Sequence, residues 1–269
     1  SNRSAIVAPR DDELIDKKMP LLEHLIELRR RLIYSLIAFL IAFFICFYFA
    51  DPLFNFLVRP LAQIWEGEEG HKLIYTALHE KFFTNVKVAF FAAGMLAFPV
   101  IASQLWMFVA PGLYRSERKA FFPFLIVTPI LFMMGAALVY YLLMPVAWKF
   151  FASFQSFGTD GLAVELLPRV SEYLSLSMGL IFAFGLAFEL PVALTLMARA
   201  GLTSSEGLRS KRRYAIVSAF IAAAVLTPPD PLSQISLAIP IIILYEVSIW
   251  SAKAVERQRE RDAAAATAT

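Results

Sequence analysis

Six stretches of this chain are too apolar, and most of them too long, for water to be their natural solvent. A helix needs about 20 mainly apolar residues to cross a hydrocarbon core of ~30 Å. Runs of that character occupy residues 32–50, 82–108, 121–144, 173–198, 214–226 and 232–250. The whole chain is 59% hydrophobic, with a mean hydropathy of +0.63 and only 17% charged residues. A soluble domain of this length needs more charge to cover its surface. Backbone polar groups in lipid must be satisfied within the segment, so spans of this length read as helices. The expected fold class is therefore an all-α integral membrane protein with six transmembrane helices.

An even number of spans places both termini on one side, and Lys and Arg select that side. The N-terminal segment, the 109–120 and 199–213 loops and the C-terminal tail hold nineteen of the 25 basic residues. The N-in/C-in arrangement follows, with both termini cytoplasmic. Three regions are expected: a cytoplasmic segment and amphipathic lead-in over 1–31, a transmembrane domain over 32–250, and a disordered tail over 251–269. Residues 1–18 are polar and carry no apolar core ending in a small-residue cleavage site, so no cleavable leader is expected.

The first outer loop, 51–81, begins DPLFNFLVRPLAQIW. Its spaced apolar residues predict a short interfacial helix with Trp65 near headgroup level. The fifth apolar run, 214–226, is only 13 residues, about 20 Å of helix. It either thins the bilayer locally or extends into Arg209–Arg213, whose long side chains snorkel. No internal repeat is visible, which weakens a transporter analogy.

Enzyme signatures are missing. His79-Glu80 opens an HExxH pattern, but Phe83 stands where the second histidine belongs. There is no GxSxG elbow, P-loop or CxxC, and Cys46 is the single cysteine. No enzymatic activity, cofactor, metal or nucleic-acid partner is expected.

Ionisable residues near the spans carry more information. Glu189 lies ten residues before Arg199, near mid-membrane, where a carboxyl is costly unless protonated, paired or facing water. It is a functional candidate, with a structural carboxyl bonded to a neighbouring helix as the alternative. Pro191 has no N–H for the carbonyl of Ala187, so a kink is predicted beside Glu189. Gln234 is a hydrogen-bonding group on an apolar helix, of the kind that joins helices. Asp230, after Pro228-Pro229, flanks the turn between the last two helices with Gln234, or serves as the N-cap of the last helix.

The stretch MPLLEHLIELRRRL places Leu21, Leu25, Leu28 and Leu32 on one face, with Glu27 four residues before Arg31. Composition alone makes it a solvated topology anchor. Glu117, in APGLYRSERKAFFP, is a second carboxylate on the same side of the membrane. Together they form an acidic pair able to receive guanidinium groups, unless adjacent arginines neutralise them internally.

The runs MPLLEHLIELRRRL, WMFVAPGLYRSERK, FAFGLAFELPV and LTPPDPLSQISLAIP, in this order, resemble TatC, the multispanning subunit of the twin-arginine protein translocase. The resemblance runs from about Met19 to Trp250. It implies a receptor for signal peptides with two consecutive arginines, in a cupped bundle whose fifth and sixth helices are short. It assigns recognition to Glu27 and Glu117, with Arg29 and Phe108 beside them, and a function to Pro60 in the first outer loop. The family's intramembrane glutamate falls on Glu189. Asp230 and Gln234 fall where single-span TatA- and TatB-type partners are thought to dock. Self-association within the complex and a bacterial inner-membrane location are also implied. The competing class is a proton-coupled small-molecule transporter that uses Glu189. A third class, an intramembrane hydrolase, lacks its nucleophile or metal motif.

Overall fold

The structure, a computed structural model, describes residues 11–65, 73–113, 118–155, 168–226 and 231–267. These fold into α1 (Asp11–Tyr48), α2 (Ala50–Ala62), α3 (Glu80–Leu113), α4 (Arg118–Leu138), α5 (Met144–Ala152), α6 (Val170–Ala187), α7 (Leu190–Arg199), α8 (Ser205–Ser210), α9 (Arg212–Leu226) and α10 (Pro231–Thr267). Among the described residues β structure is confined to one parallel bridge, Ile74 to Arg169. That bridge ties the segment before α3 to the one before α6.

Five segments are long and apolar enough to cross a membrane: Leu22–Tyr48, Glu80–Phe108, Pro123–Ala152, Val170–Arg199 and Gln234–Arg261. Only 11% of the first is buried inside the protein. Leu36, Ile37, Phe44 and Ile45 therefore face outward from the fold, as lipid-facing side chains do. The chain is an integral membrane protein on this ground. The expected fifth span is the 15-residue α9, about 22 Å long, and falls short of the other five.

Two expectations need correction. The last helix is not short, because α10 runs for 37 residues. It also takes in most of the tail expected to be disordered. Residues 253–267 are rich in Ala, Glu and Arg, strong helix formers that let the helix continue past the apolar run. Glu256, in this extension, accepts from the Ser205 N–H at 2.7 Å and from its hydroxyl at 2.5 Å. Tyr245 Oη donates to the Leu208 carbonyl at 2.8 Å, and Arg212 pairs with Glu246 at 2.5 Å. The 199–213 loop is thereby fastened along α10. At the other terminus α1 begins at Asp11.

Small residues set the helix packing. Ala42 and Cys46 of α1 meet Ala89, Ala93 and Ala97 of α3, so the two backbones approach closely and run antiparallel. Between α4 and α6, a Cβ on Gly135 would lie 2.4 Å from the Phe184 carbonyl oxygen. One on Gly185 would lie 2.6 Å from the Phe132 ring. Phe132 is fully buried and stacks on Phe98, with ring centroids 3.6 Å apart. α4 passes through a π turn over Val139–Leu143 before α5. Pro145 has no N–H for the Tyr141 carbonyl, which accounts for the loosened turn.

A short helix, α2, stands in the 51–81 segment where the sequence predicts one, and its attachment follows from Pro60. A proline at that position cannot donate to the Phe56 carbonyl one turn earlier. Tyr140 Oη donates to that carbonyl instead, at 2.6 Å, while its ring stacks on Phe56 at 4.3 Å. Tyr173 Oη donates to the next carbonyl, Leu57, at 2.8 Å. Two buried tyrosines on α6 and the π turn thus hold α2 by its backbone.

Candidate functional site

The end of α1 nearer the N-terminus packs against the end of α3, and a polar cluster forms there inside an otherwise apolar contact. Arg31 is its centre. One of its terminal nitrogens lies 3.2 Å from Glu27 Oε1. The other donates to Gln104 Oε1 at 3.1 Å and approaches Met107 Sδ at 3.5 Å. The two charged side chains are 21% and 26% exposed, so the pair is neither buried nor fully screened. Arg31 Nε is buried without a partner, a cost that holds only because the rest of the guanidinium is bonded.

One turn earlier, His24 stacks on Phe108 with ring centroids 4.3 Å apart and planes at 23°. This contact seats the lead-in helix on α3 and brings Phe108 into the same cluster as Glu27. Arg29 and Arg30 are exposed, on the outside of the helix. The family resemblance groups Glu27, Arg29 and Phe108. The structure joins Glu27 and Phe108 through the α1–α3 contact and leaves Arg29 on the flank. Glu117 and Asp230 lie outside the described residues.

The same stretch of α3 opens onto a groove. Trp106 Nε1 donates to Thr128 Oγ1 at 3.1 Å, and Trp106 and Met107 pack with Val192 and Leu196 of α7. The groove has a volume of about 1060 Å³. It runs along α3 from Lys87 to Trp106, walled by Phe90, Phe98, Gly179 and Phe182. Glu189 lines it together with Thr128. The predicted kink is there: α6 ends at Ala187, α7 starts at Leu190, and Glu189 sits in the turn between them. Both Glu189 carboxylate oxygens are shielded within the protein and have no hydrogen-bond partner there. Pro191 therefore does more than bend the helix, because the break turns a polar group toward the groove.

Gln234 Nε2 approaches the Phe220 carbonyl at 3.4 Å, a long bond that links α10 to α9. Pro60 is buried in α2, where its missing N–H creates the Tyr140 attachment.

Two further residues of consequence, Gln104 and Glu80, emerge only in the structure. Gln104 stands 73 residues from Arg31, with no local signal. Glu80 reads in the sequence as half of an incomplete zinc motif. It is buried at the start of α3 and accepts from the backbone N–H groups of Thr76, Ala77 and Ser171 and from the Thr76 hydroxyl. Its position in a first helical turn, where carboxylates are favoured, is the signal that could have found it.

Comparison with known proteins gives one family. The family model described as TatC, Sec-independent protein translocase protein, matches residues 23–240. A Sec-independent protein translocase protein TatC from Magnetococcus marinus is 52% identical over 93% of this chain and 90% of its own length. The Escherichia coli K12 protein of the same description is 39% identical over 88% of this chain and 89% of its own length. A crystal structure described as the twin arginine translocase receptor TatC superposes with a TM-score of 0.75 at 39% identity. It covers 87% of this chain and 99% of its own.

Proposed function

The chain belongs to the TatC family of Sec-independent protein translocase proteins, a Tat-pathway component, and from that premise we propose that it receives twin-arginine signal peptides at Glu27. The observation that carries this reading is the Glu27–Arg31 pair. Arg31 presents to Glu27 the same guanidinium group that a signal-peptide arginine would present. The resting site is an acid closed by an internal arginine. A peptide with two adjacent guanidiniums displaces Arg31 from Glu27 with one group and engages Glu117 with the other. Planar, bidentate donors suit carboxylates better than a lysine's point charge, which favours RR over KK.

Phe108 and Arg29 border the docked peptide in this reading. Its apolar segment enters the groove and approaches Glu189. Single-span TatA- and TatB-type partners dock along α9 and α10 through Gln234 and, as the resemblance implies, Asp230, and the complex self-associates. The chain sits in a bacterial inner membrane with six crossings, α9 being the short fifth, and both termini in the cytoplasm. The distribution of Lys and Arg between the two sides supports that orientation.

The test is photocrosslinking of an RR signal peptide and its KK counterpart to the reconstituted protein. Charge reversal, Glu27→Lys with Glu117→Lys, is expected to abolish RR capture while membrane insertion is retained. Capture that persists in the double variant overturns the assignment.

A further inference from the structure

The groove has two ends with different chemistry. One is the Glu189 and Trp106 region already described. At the other, Lys87 lines both the groove and an adjoining pocket of about 450 Å³ bordered by His79, Glu80 and Arg169. The Lys87 amine has no hydrogen-bond or ion-pair partner among the described residues. The nearby charged groups already have hydrogen-bond partners, although Glu80 keeps its negative charge beside Lys87. Glu80 is engaged by three backbone N–H groups and a hydroxyl. Arg169 donates to Glu172 at 2.9 Å and to Thr76 Oγ1 at 2.6 Å. His79 lies edge-on to Phe83. Among the described residues the Lys87 amine thus makes no direct hydrogen bond or ion pair, at the mouth of an apolar channel.

The dimensions identify what fits. From Lys87 to Phe98, α3 rises by about 16 Å, close to half of a hydrocarbon core of ~30 Å. An ammonium at one end of that length stands at headgroup depth, and the length itself matches one leaflet's acyl chains. The wall between is Phe90, Phe91, Gly94 and Phe98, facing Gly179 and Phe182. A Cβ on Gly94 or on Gly179 would meet nothing within 4 Å. These two glycines therefore do not serve helix packing, unlike Gly135 and Gly185. They widen the channel where a chain would lie.

We propose that this half of the groove binds one anionic phospholipid, its phosphate on Lys87 and an acyl chain laid over Gly94 and Gly179. The charge requirement argues for a lipid of net negative headgroup, since a zwitterionic one offers Lys87 a competing cation. The assignment to the outer leaflet rests on the cytoplasmic placement of the termini. The binding chemistry does not depend on that placement, nor on peptide capture at Glu27.

Full-length protein in nanodiscs of phosphatidylcholine containing phosphatidylglycerol tests this, with the lipid retained after detergent extraction counted by native mass spectrometry. Wild type and Lys87→Arg are expected to retain one phosphatidylglycerol. Lys87→Gln should retain about fivefold less, the worth of one lysine at a charged membrane surface. Gly94→Leu, which fills open space, should lose the lipid with unchanged melting, and should it fail to fold, Lys87→Gln decides alone. Inorganic phosphate should not compete. Retention in Lys87→Gln equal to wild type overturns the proposal, as does equal retention of phosphatidylcholine. Competition by inorganic phosphate reduces the site to an anion pocket and also overturns it. So does displacement of the lipid by a synthetic apolar helix bearing a glutamate that binds only when Lys87 is present. RR-peptide capture by Lys87→Gln at the wild-type level keeps this outcome separate from that of the Glu27 assignment.

Discussion

If Arg31 closes the Glu27 site at rest, removing it opens the site, and the size of the gain is bounded by the pair's own strength. The pair is an i,i+4 contact of 3.2 Å with both side chains about one-quarter exposed. Such pairs are worth about 0.3–0.5 kcal/mol net of screening and side-chain entropy. At that strength Glu27 is occupied by Arg31 about twice as often as it is free, so Arg31→Gln should tighten RR-peptide binding about threefold. The increment should shrink at high salt, because a quarter-exposed pair is partly screened to begin with. A KK peptide should gain by the same factor, since it displaces the same arginine, so affinity rises while RR selectivity stays as it was. Gln104→Ala removes the second acceptor that holds Arg31 in place, and its gain should be smaller and in the same direction. The assay is titration of a fluorescently labelled signal peptide into nanodisc-held protein at two ionic strengths. Binding by Arg31→Gln that is unchanged or weaker refutes the reasoning, since Arg31 would then belong to the binding surface and not compete for it.

Three further outcomes follow from the packing. Tyr140→Phe leaves the Phe56 carbonyl without a donor and should cost about 1–3 kcal/mol in detergent unfolding. Adding Pro60→Ala restores an in-helix donor, so the double variant should be less destabilised than the two single losses summed, which a double-mutant cycle reads directly. Gly135→Ala pushes a methyl to 2.4 Å from backbone that cannot yield, and overpacking of this kind should cost about 1–3 kcal/mol or more. Gly94→Ala, with open space in front, is the matched control and should melt like wild type. Glu256→Ala removes the acceptor of both Ser205 bonds, and hydrogen exchange across Ser205–Ser210 should accelerate without change in the transmembrane core.

What the sequence disclosed, and what it did not, divides by the range of the interaction. Apolar runs near the hydrocarbon thickness are self-contained signals, so five spans were legible, as was α2 with its amphipathic spacing. The break at Glu189 was legible because Pro191 acts on a carbonyl within its own helix. The Glu27–Arg31 spacing named the pair, though spacing could not tell a closed pair from an open one. Gln104 is bonded to Arg31 only because small residues on α1 and α3 let the two helices run close and antiparallel, and no local pattern carries that. The tail was misread for a related reason. A polar, alanine-rich end looks like disorder in composition, yet its Glu256 completes the α8 N-terminus on another segment.

Five consecutive residues of α3 also change how the two carboxylates relate. Gln104 and Met107 hold Arg31, Trp106 donates to Thr128 beside Glu189, and Phe108 seats His24. A ligand that pulls Arg31 from Glu27 therefore releases contacts on the same helical turn that borders the groove. The Glu27 site and the Glu189 groove are two faces of one segment. Their coupling is measurable as the change that Arg31→Gln makes in the reactivity of a probe attached in the groove. Signal-peptide addition to wild type should move that probe in the same direction. A probe that responds to the peptide and is indifferent to Arg31→Gln would break the link between them.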